Sequence, residues 1–194
     1  IHAANGYLIE QFLRTGTNKR DNDYGGSVEN RTRFLKEVTE AVLSVWNADR
    51  VGVRLSPLGK FNDMGDSDPL ATYTATVKAI NPYKLAFLHL VETFPGTVTT
   101  PEEQAILDEL KALYDGKLVI NGGFGKESAQ AYLDAGKADV IAIGRPFIAN
   151  PDLVERYQQD APLNDLDGDT IYGGDHRGYT DYPTLADTKS SANA

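Results

Sequence analysis

The feature of this sequence that most restricts its fold is the alternation of short apolar runs with longer amphipathic segments. Four apolar runs are too short for helices, and several are rich in β-branched residues, so they are predicted to be strands. Their nearly continuous hydrophobicity is typical of strands buried on both faces of a parallel sheet. The four runs are RVGVRLS, LAFLHLV, KLVING and ADVIAIG.

Five other segments show the periodicity of amphipathic helices. Ser27 is a candidate N-cap for the first, and the pairs Asp68-Pro69 and Thr100-Pro101 are typical helix starts. Gly136 is predicted to end the fourth segment. Strand and helix therefore alternate, which indicates an α/β protein with a parallel sheet. The predicted helices lie at residues 27–46, 68–80, 100–114, 126–136 and 150–159.

An open sheet and a closed barrel both have this alternation, and the positions of the glycines favour the barrel. Gly-rich turns follow the last two strands, whereas no G-x-G-x-x-G follows an early one. In (β/α)8 barrels a phosphate site commonly forms after strands 7 and 8. Counting back makes RVGVRLS strand 5 and leaves Ile1-His2 as the last trace of strand 4. The sequence thus predicts the C-terminal half of a (β/α)8 TIM barrel, from the end of strand 4 through strand 8 and its helix.

No linker divides the chain, so residues 1–185 are predicted to form part of a single domain. Residues 160–194 lack clear periodicity. The Ser- and Ala-rich residues 186–194 are predicted to be a flexible tail.

The composition argues against several kinds of partner and site. A net charge of −9 disfavours binding to nucleic acid or to a membrane surface. Cysteine is absent, so no disulfide or iron–sulfur cluster is expected within this segment, and the three scattered histidines predict no metal site. No apolar run approaches the ~20 residues of a membrane span, and the first residues do not form a signal peptide. A cytoplasmic location is therefore expected.

The opening stretch HAANGYLIEQF places His2, Asn5 and Tyr7 at the predicted tip of a barrel strand, where catalytic residues are found. If the chain curves helically after His2, its imidazole N–H and the Asn5 amide converge on one point. Two such donors suit a carbonyl, nitro or phenolate oxygen, and a nearby Tyr7 hydroxyl can deliver a proton. The alternative is a structural histidine with a helix-capping asparagine, and spacing alone favours that alternative.

Two further groups of residues indicate a binding site for an anion. Arg54 lies within an apolar strand, where a buried charge needs a partner. That partner is either a bound anion or an internal Asp or Glu. Glycines after the last two strands expose backbone N–H groups to a phosphate, and an arginine adds a charged fork. The alternative is a pair of ordinary βα turns. The residues of this predicted phosphate site are Gly122, Gly123, Gly144 and Arg145.

The remaining candidates are weaker. His89 can face the barrel interior or a helix, and a core position is the expectation. Glu92 can face a pocket or cap a loop, and His176 is expected to be exposed.

Six blocks of the sequence, in order, resemble the old yellow enzyme family of FMN-dependent ene-reductases. They run from residue 1 to about residue 185, which corresponds to the C-terminal half of a normal family member. The resemblance implies an N-terminal half of the barrel as a partner for this chain. The blocks are HAANGYLIEQF, TNKRDNDYGGSVENRTRF, VGVRLSP, INGGF, IAIGRPFIANPDL and GYTDYPT.

The resemblance implies a role for each candidate residue. His2 and Asn5 would hold the oxygen of the group that activates the alkene. Tyr7 would protonate the α-carbon after flavin N5 gives hydride to the β-carbon. Arg54 would lie against the flavin N1/C2 carbonyl and stabilise reduced, anionic FMN. The four phosphate-site residues would bind the FMN phosphate, and the aromatic residues of the substrate face would be Phe61 and Tyr172.

The expected function is hydride transfer from NAD(P)H, through FMN, to the C=C bond of an activated alkene such as an α,β-unsaturated carbonyl or nitro compound. A phosphate-binding aldolase or isomerase is an alternative, but the strands carry no lysine at their C-terminal ends. A second alternative is a non-catalytic half-barrel that binds phosphate or FMN weakly or self-associates as a homo-oligomer.

Overall fold

The computed structural model describes residues 1–94, 96–173 and 175–192, with side chains up to Thr188. The described chain divides into two compact units, residues 1–142 and residues 143 onward. The first unit contains strands β1 (His2–Ala3), β2 (Gly52–Leu55), β3 (Phe87–Val91), β4 (Leu118–Asn121) and β5 (Val140–Ile141). Its helices are α1 (Leu8–Leu13), α2 (Val28–Leu43), α3 (Pro69–Ile80), α4 (Pro101–Ala112) and α5 (Lys126–Asp134). The second unit contains α6 (Arg145–Ala149), α7 (Leu153–Gln158) and α8 (Leu185–Ala192).

The five strands form one parallel sheet in the order of the sequence, β1-β2-β3-β4-β5. A doubly wound open sheet reverses its strand order at a switch point, and this sheet has no such reversal among its described strands. Its register places one residue from each strand in a single row: His2, Arg54, His89, Val119 and Val140. The predicted partial (β/α)8 barrel is therefore confirmed.

Each strand presents one face to the helices and the other away from the core. Ala3, Val53, Leu88 and Ile120 are fully buried and belong to the same cluster as helix residues such as Tyr73. The alternate positions Gly52, Arg54, Phe87 and His89 of β2 and β3 are less buried. The second face is the one that would line the interior of a closed barrel, and it carries the row of His2 and Arg54.

The predicted helix starts are confirmed at three long helices. The Ser27 side chain accepts a hydrogen bond from the backbone N–H of Asn30, and Asp68 accepts one from Ala71. Thr100 and Glu103 form a reciprocal capping box at the start of α4. Each of these bonds satisfies a backbone donor that the helix itself leaves unpaired.

Arg31, in the long block TNKRDNDYGGSVENRTRF, links three segments of the chain. Its guanidinium donates to the Leu13 carbonyl (2.8 Å), the Gly26 carbonyl (2.6 Å) and the Thr72 hydroxyl (3.0 Å). One side chain thereby joins the end of α1, the loop before α2 and the start of α3. Arg31 is almost completely buried, so these three bonds also compensate its desolvated charge.

A buried ion pair organises the second unit, between Asp152, the residue before α7, and Arg156 within α7. Asp152 Oδ1 accepts from Arg156 Nε at 2.6 Å, and Asp152 Oδ2 accepts from the Leu185 backbone N–H at 2.7 Å. Arg156 also donates to the carbonyls of Pro162 (2.6 Å) and Pro183 (2.9 Å). These bonds order chain segments that show no periodicity in the sequence.

Helix α8 lies in a part of the chain for which the sequence predicts no regular structure. Asp187 accepts hydrogen bonds from the backbone N–H and the hydroxyl of Thr184, and its own N–H donates back to that hydroxyl. This reciprocal cap was visible in the sequence as Thr-x-x-Asp. Residues 193 and 194 of the predicted tail lie outside the described residues. The domain boundary at residue 185 stays a prediction.

Replacing Arg31 with Lys is expected to destabilise the protein by about 2–3 kcal/mol. An ammonium group cannot reproduce a planar fork that bonds three separate acceptors. Chemical unfolding measures the change. The matched control is Arg33→Lys in the same helix, whose exposed ion pair with Asp23 at 3.4 Å is expected to contribute less than ~0.5 kcal/mol. Equal losses in the two variants would contradict the structural role assigned to Arg31.

Candidate active site

The candidate site begins at the tip of β1, where the chain reverses direction. Asn5 and Gly6 both adopt positive φ, +57° and +74°, and the Tyr7 N–H closes the turn on the Ala4 carbonyl at 3.2 Å. The expected helical curve after His2 is therefore wrong, because α1 begins only at Leu8. Two consecutive left-handed residues form a tight reverse turn, to which Asn and Gly are well suited.

Gly6 is required in this turn for two reasons. Its φ of +74° disfavours a side chain, and a Cβ here would lie 2.5 Å from the Asn62 Cβ and 2.7 Å from the Phe61 carbonyl oxygen. The loop after β2 thus packs directly on the turn at the tip of β1. The Asn62 side chain also donates to the Asn5 carbonyl at 3.0 Å.

The structure brings His2 and Tyr7 into contact across this turn. Their ring centroids are 5.2 Å apart, with an angle of 50° between the planes. Both side chains are exposed to solvent, so either can reach a bound molecule. The Asn5 side-chain oxygen is buried and has no hydrogen-bond partner among the described residues. A buried amide oxygen without a partner is uncommon in folded proteins and calls for an explanation, such as a catalytic role.

Arg54 is the second of the five residues in the row formed by the sheet register. It pairs with His2 on β1 and with His89 on β3, and its guanidinium donates to Asn121 Oδ1 at 3.2 Å. Asn121 in turn donates to the Ala142 carbonyl at 2.8 Å, which fixes the direction of its amide. The structure thus places Arg54 beside the carboxyl end of β4, where the first glycine turn begins.

The electrostatics of the row leave both imidazoles neutral at pH 7. Partial burial, followed by the positive charge of Arg54, lowers the pKa of His2. The same two causes lower the pKa of His89 to about 4. A neutral imidazole still donates one N–H, so His2 can stabilise an oxygen that gains negative charge without adding a second cation beside Arg54.

Phe61 is brought to the same region. It begins a short 3-10 turn, Phe61–Asp63, and its ring is more than half exposed. The contacts of Gly6 and Asn5 with this segment place Phe61 next to the turn at the tip of β1.

The predicted phosphate residues are divided between the two units. Gly122 follows β4 and packs on Thr93, since a Cβ at Gly122 would lie 2.7 Å from the Thr93 hydroxyl. Gly123 is exposed and has φ of +69°. In the second unit, exposed Gly144 precedes α6 and Arg145 is its first residue. Tyr172, the second predicted substrate residue, is 70% exposed and also lies in the second unit.

The structure also shows the positions of the three weaker candidates. Glu92 accepts from the Lys111 ammonium at 3.0 Å and from the Tyr132 hydroxyl at 2.7 Å, so it joins α4 to α5. His89 lies in the same row as Arg54 and is only partly buried, so the expected core position is wrong. His176 is exposed, as expected.

Three residues of the site were not predicted from the sequence. Asn121 is the last residue of β4, and Ser56 directly follows β2. A polar residue at the carboxyl end of a buried strand is itself a signal for a barrel site. Glu10 is fully buried in the short helix α1 and accepts a hydrogen bond from the Gly6 N–H at 2.6 Å. Nothing in the sequence pattern distinguished Glu10 from an exposed helix residue.

Within the described residues, no helix is both long and apolar enough to cross a bilayer. Nor do the described His, Asp and Glu side chains form any group of three suited to hold a metal ion.

Comparison with known proteins relates most of this chain to flavin oxidoreductases. A family model described as "NADH:flavin oxidoreductase / NADH oxidase family" matches residues 1–164. The putative 12-oxophytodienoate reductase 3 of Oryza sativa subsp. japonica is 43% identical over 197 residues, which cover 99% of this chain and 51% of the relative. The 12-oxophytodienoate reductase 2 of Arabidopsis thaliana is 41% identical over 192 residues, covering 97% and 51%.

Solved structures give the same result. Morphinone reductase superposes with a TM-score of 0.88 at 44% identity, over 96% of this chain and 50% of that one. Morphinone reductase in complex with tetrahydroNAD superposes with a TM-score of 0.84 at 43% identity, over 95% and 49%. The chain therefore spans about half the length of the relatives it matches.

Replacing His89 with Gln is expected to flatten the dependence of stability on pH. The unfolded histidine titrates near 6.5 and the folded one near 4, so between these values the unfolded state binds more protons. Stability of the unmodified protein therefore falls as the pH falls through this window, by roughly 1–2 kcal/mol between pH 7 and 5 after allowance for partial exposure. Urea unfolding at both pH values measures the difference.

The control for this prediction is His176→Gln, which changes an exposed histidine in the second unit. This variant is expected to keep the pH dependence of the unmodified protein. An equally steep fall in His89→Gln would show that other groups cause it.

Proposed function

The chain belongs to the NADH:flavin oxidoreductase / NADH oxidase family, and on this premise we propose that its full-length protein is an FMN-dependent ene-reductase. Membership confirms the resemblance to the old yellow enzyme family. The proposed reaction takes hydride from NAD(P)H and reduces the C=C bond of an α,β-unsaturated carbonyl or nitro compound. The observation that supports it most directly is the cluster of His2, Asn5 and Tyr7 beside Arg54.

The residues present fit an FMN-binding site. The buried, unused oxygen of Asn5 and the positive charge of Arg54 lie at the carboxyl ends of neighbouring parallel strands, where barrel enzymes bind their cofactors. When bound, FMN supplies the transfer of hydride between NAD(P)H and the alkene. Arg54 would hold the N1/C2 edge of the flavin, where a fixed cation stabilises the charge that reduction adds.

His2 and Asn5 would bind the oxygen of the activating group. Hydride addition at the β-carbon moves negative charge onto this oxygen, and two aimed N–H donors stabilise that charge. Because burial and Arg54 lower the pKa of His2, the imidazole acts as a neutral donor near pH 7.

Tyr7 would complete the reaction by giving its hydroxyl proton to the α-carbon. Its ring contacts His2, and its side chain is about half exposed, so the hydroxyl can approach a substrate held by His2. Phe61 and Tyr172 would supply the aromatic surface on which the alkene lies. The phosphate of FMN would be bound by backbone N–H groups and one guanidinium, from Gly122, Gly123, Gly144 and Arg145.

We further propose that four additional βα units complete the barrel around this chain, since it spans about half of its relatives. A cytoplasmic location and the use of NADPH or NADH belong to the same proposal.

The hydrophobic side chains Phe87 and Val140, 37% and 51% exposed, favour a second possibility. On its own, this chain would self-associate through its sheet and bind FMN weakly.

Activity is tested with the full-length protein, FMN, NAD(P)H and 2-cyclohexenone under nitrogen. Consumption of NAD(P)H that depends on the enone supports the proposal. His2→Ala and Asn5→Ala are each expected to lower kcat/KM by about 10²–10³-fold, the usual effect of removing one aimed donor. His176→Ala is the control and is expected to keep full activity.

The absence of enone-dependent turnover in a protein that retains FMN would contradict this proposal. Sedimentation of the 194-residue chain, with and without FMN, tests the second possibility. A dimer or larger assembly with perturbed flavin absorbance supports it, and a well-folded monomer contradicts it.

Arg54→Met is expected to lower the reduction potential of bound FMN by about 30–60 mV, which is about 1.4–2.8 kcal/mol for two electrons. The reason is that reduced, anionic FMN loses its neighbouring cation. Potentiometric titration of the flavin absorbance measures the shift. Arg50→Met changes an exposed arginine just before β2 and is expected to leave the potential unchanged. A potential unchanged in both variants would remove Arg54 from the flavin site.

A further inference from the structure

A fully buried carboxylate lies directly behind the turn that carries Asn5. Glu10 has no solvent exposure, and its two oxygens accept hydrogen bonds from four groups. Oε2 accepts from the Gly6 N–H at 2.6 Å. Oε1 accepts from the Ser56 hydroxyl at 2.9 Å, from the Arg14 guanidinium at 2.9 Å and from the Tyr73 hydroxyl at 2.5 Å. Charge-assisted bonds of this kind are the stronger ones in a protein interior.

Through these bonds Glu10 controls both central residues of the turn. It bonds the Gly6 N–H directly, and it holds the Ser56 hydroxyl, which accepts from the Asn5 N–H at 2.8 Å. The two residues with positive φ are therefore both tied to one carboxylate, one of them through Ser56. Asn tolerates the left-handed conformation better than most residues, and these two bonds hold the Asn5–Gly6 turn in that conformation.

The other side of the carboxylate fixes the tip of β2. Arg14 forms an ion pair with Glu10 and also donates to the carbonyls of Ser56 (2.6 Å) and Gly59 (3.2 Å). Burial, followed by the charge of Glu10, raises the pKa of Tyr73 well above its ordinary value, so Tyr73 stays a neutral O–H donor. The ion pair thus joins the tip of β1 to the loop that leads to Phe61.

We propose that Glu10 is a positioning residue for the reaction, which aims the Asn5 amide at the substrate oxygen by holding the Asn5–Gly6 turn through Gly6 and Ser56. This proposal rests on the proposed function. It adds that a buried group, which never touches substrate or cofactor, sets the geometry of the donor pair His2 and Asn5.

The state of the Asn5 side chain supports this role. Its oxygen has no hydrogen-bond partner among the described residues, so that atom contributes no bond to the orientation of the amide. The backbone of residue 5 fixes the Cα–Cβ direction from which the amide extends. That backbone is bonded at its N–H by Ser56 and at its carbonyl by Asn62.

Two variants separate the direct connection of Glu10 to Gly6 from its connection to Asn5 through Ser56. Glu10→Gln keeps the size of the side chain but leaves one acceptor oxygen where the carboxylate has two, so it cannot serve both Gly6 and Ser56. Ser56→Ala removes only the link to the Asn5 N–H and keeps the Ser56 carbonyl that Arg14 binds. Thr76→Val is the control, since it deletes an equally buried hydroxyl that donates only to the Thr72 carbonyl within α3.

Amide hydrogen exchange, followed by NMR on the full-length protein, tests the connections without substrate. Exchange of Gly6 is expected to accelerate at least tenfold in Glu10→Gln, and exchange of Asn5 at least tenfold in Ser56→Ala, both relative to the core amide of Ile120. Thr76→Val is expected to change neither ratio. Acceleration of Gly6 and Asn5 by no more than the factor seen for Ile120 would overturn the proposal, because it would reflect only global stability.

Turnover on the FMN-loaded enzyme tests the consequence. Both variants are expected to lower kcat/KM for 2-cyclohexenone at least tenfold while the Kd for FMN stays within twofold, and Thr76→Val is expected to lower neither. If the unmodified enzyme reduces the enone and both variants turn over normally, the role of Glu10 is overturned and the proposed function is not. An unmodified protein that binds FMN but does not reduce the enone overturns the proposed function and, with it, this role.

Discussion

The register of the parallel sheet is the constraint on which the candidate site depends. Paired residues of neighbouring parallel strands point to the same face, so the pairing of His2 with Arg54 and of Arg54 with His89 fixes three polar side chains in one row. A slip of one residue would turn this row toward the helices and bring Ala3 and Val53 to the opposite face. The burial of those two residues in the core therefore also specifies the positions of the donors and the cation.

The same row explains the protonation states of the site. One permanent cation, Arg54, stands between two imidazoles, and placing further positive charge beside it in a partly buried region is unfavourable. Burial and Arg54 accordingly keep the pKa of His89 near 4 and lower that of His2. The arrangement gives a single fixed charge flanked by neutral groups, which suits a site where negative charge appears during the reaction.

The sequence predicted the architecture well because the relevant signals are local. The caps at Ser27, Asp68 and Thr100 and the four apolar runs depend on neighbouring residues only, and all appear in the structure. The last strand was predicted over seven residues and spans Val140–Ile141, because strand length depends on the pairing partner.

The geometry of the site was harder to predict, since it depends on contacts between residues distant in the chain. The opening residues were expected to curve helically, whereas Asn5 and Gly6 form a left-handed turn that packs closely against the loop around Asn62. Glu10 has the spacing of an ordinary helix residue, and only the approach of Ser56 and Tyr73, 46 and 63 residues away, makes it the centre of a buried network. Such groups give no signal within a short sequence window.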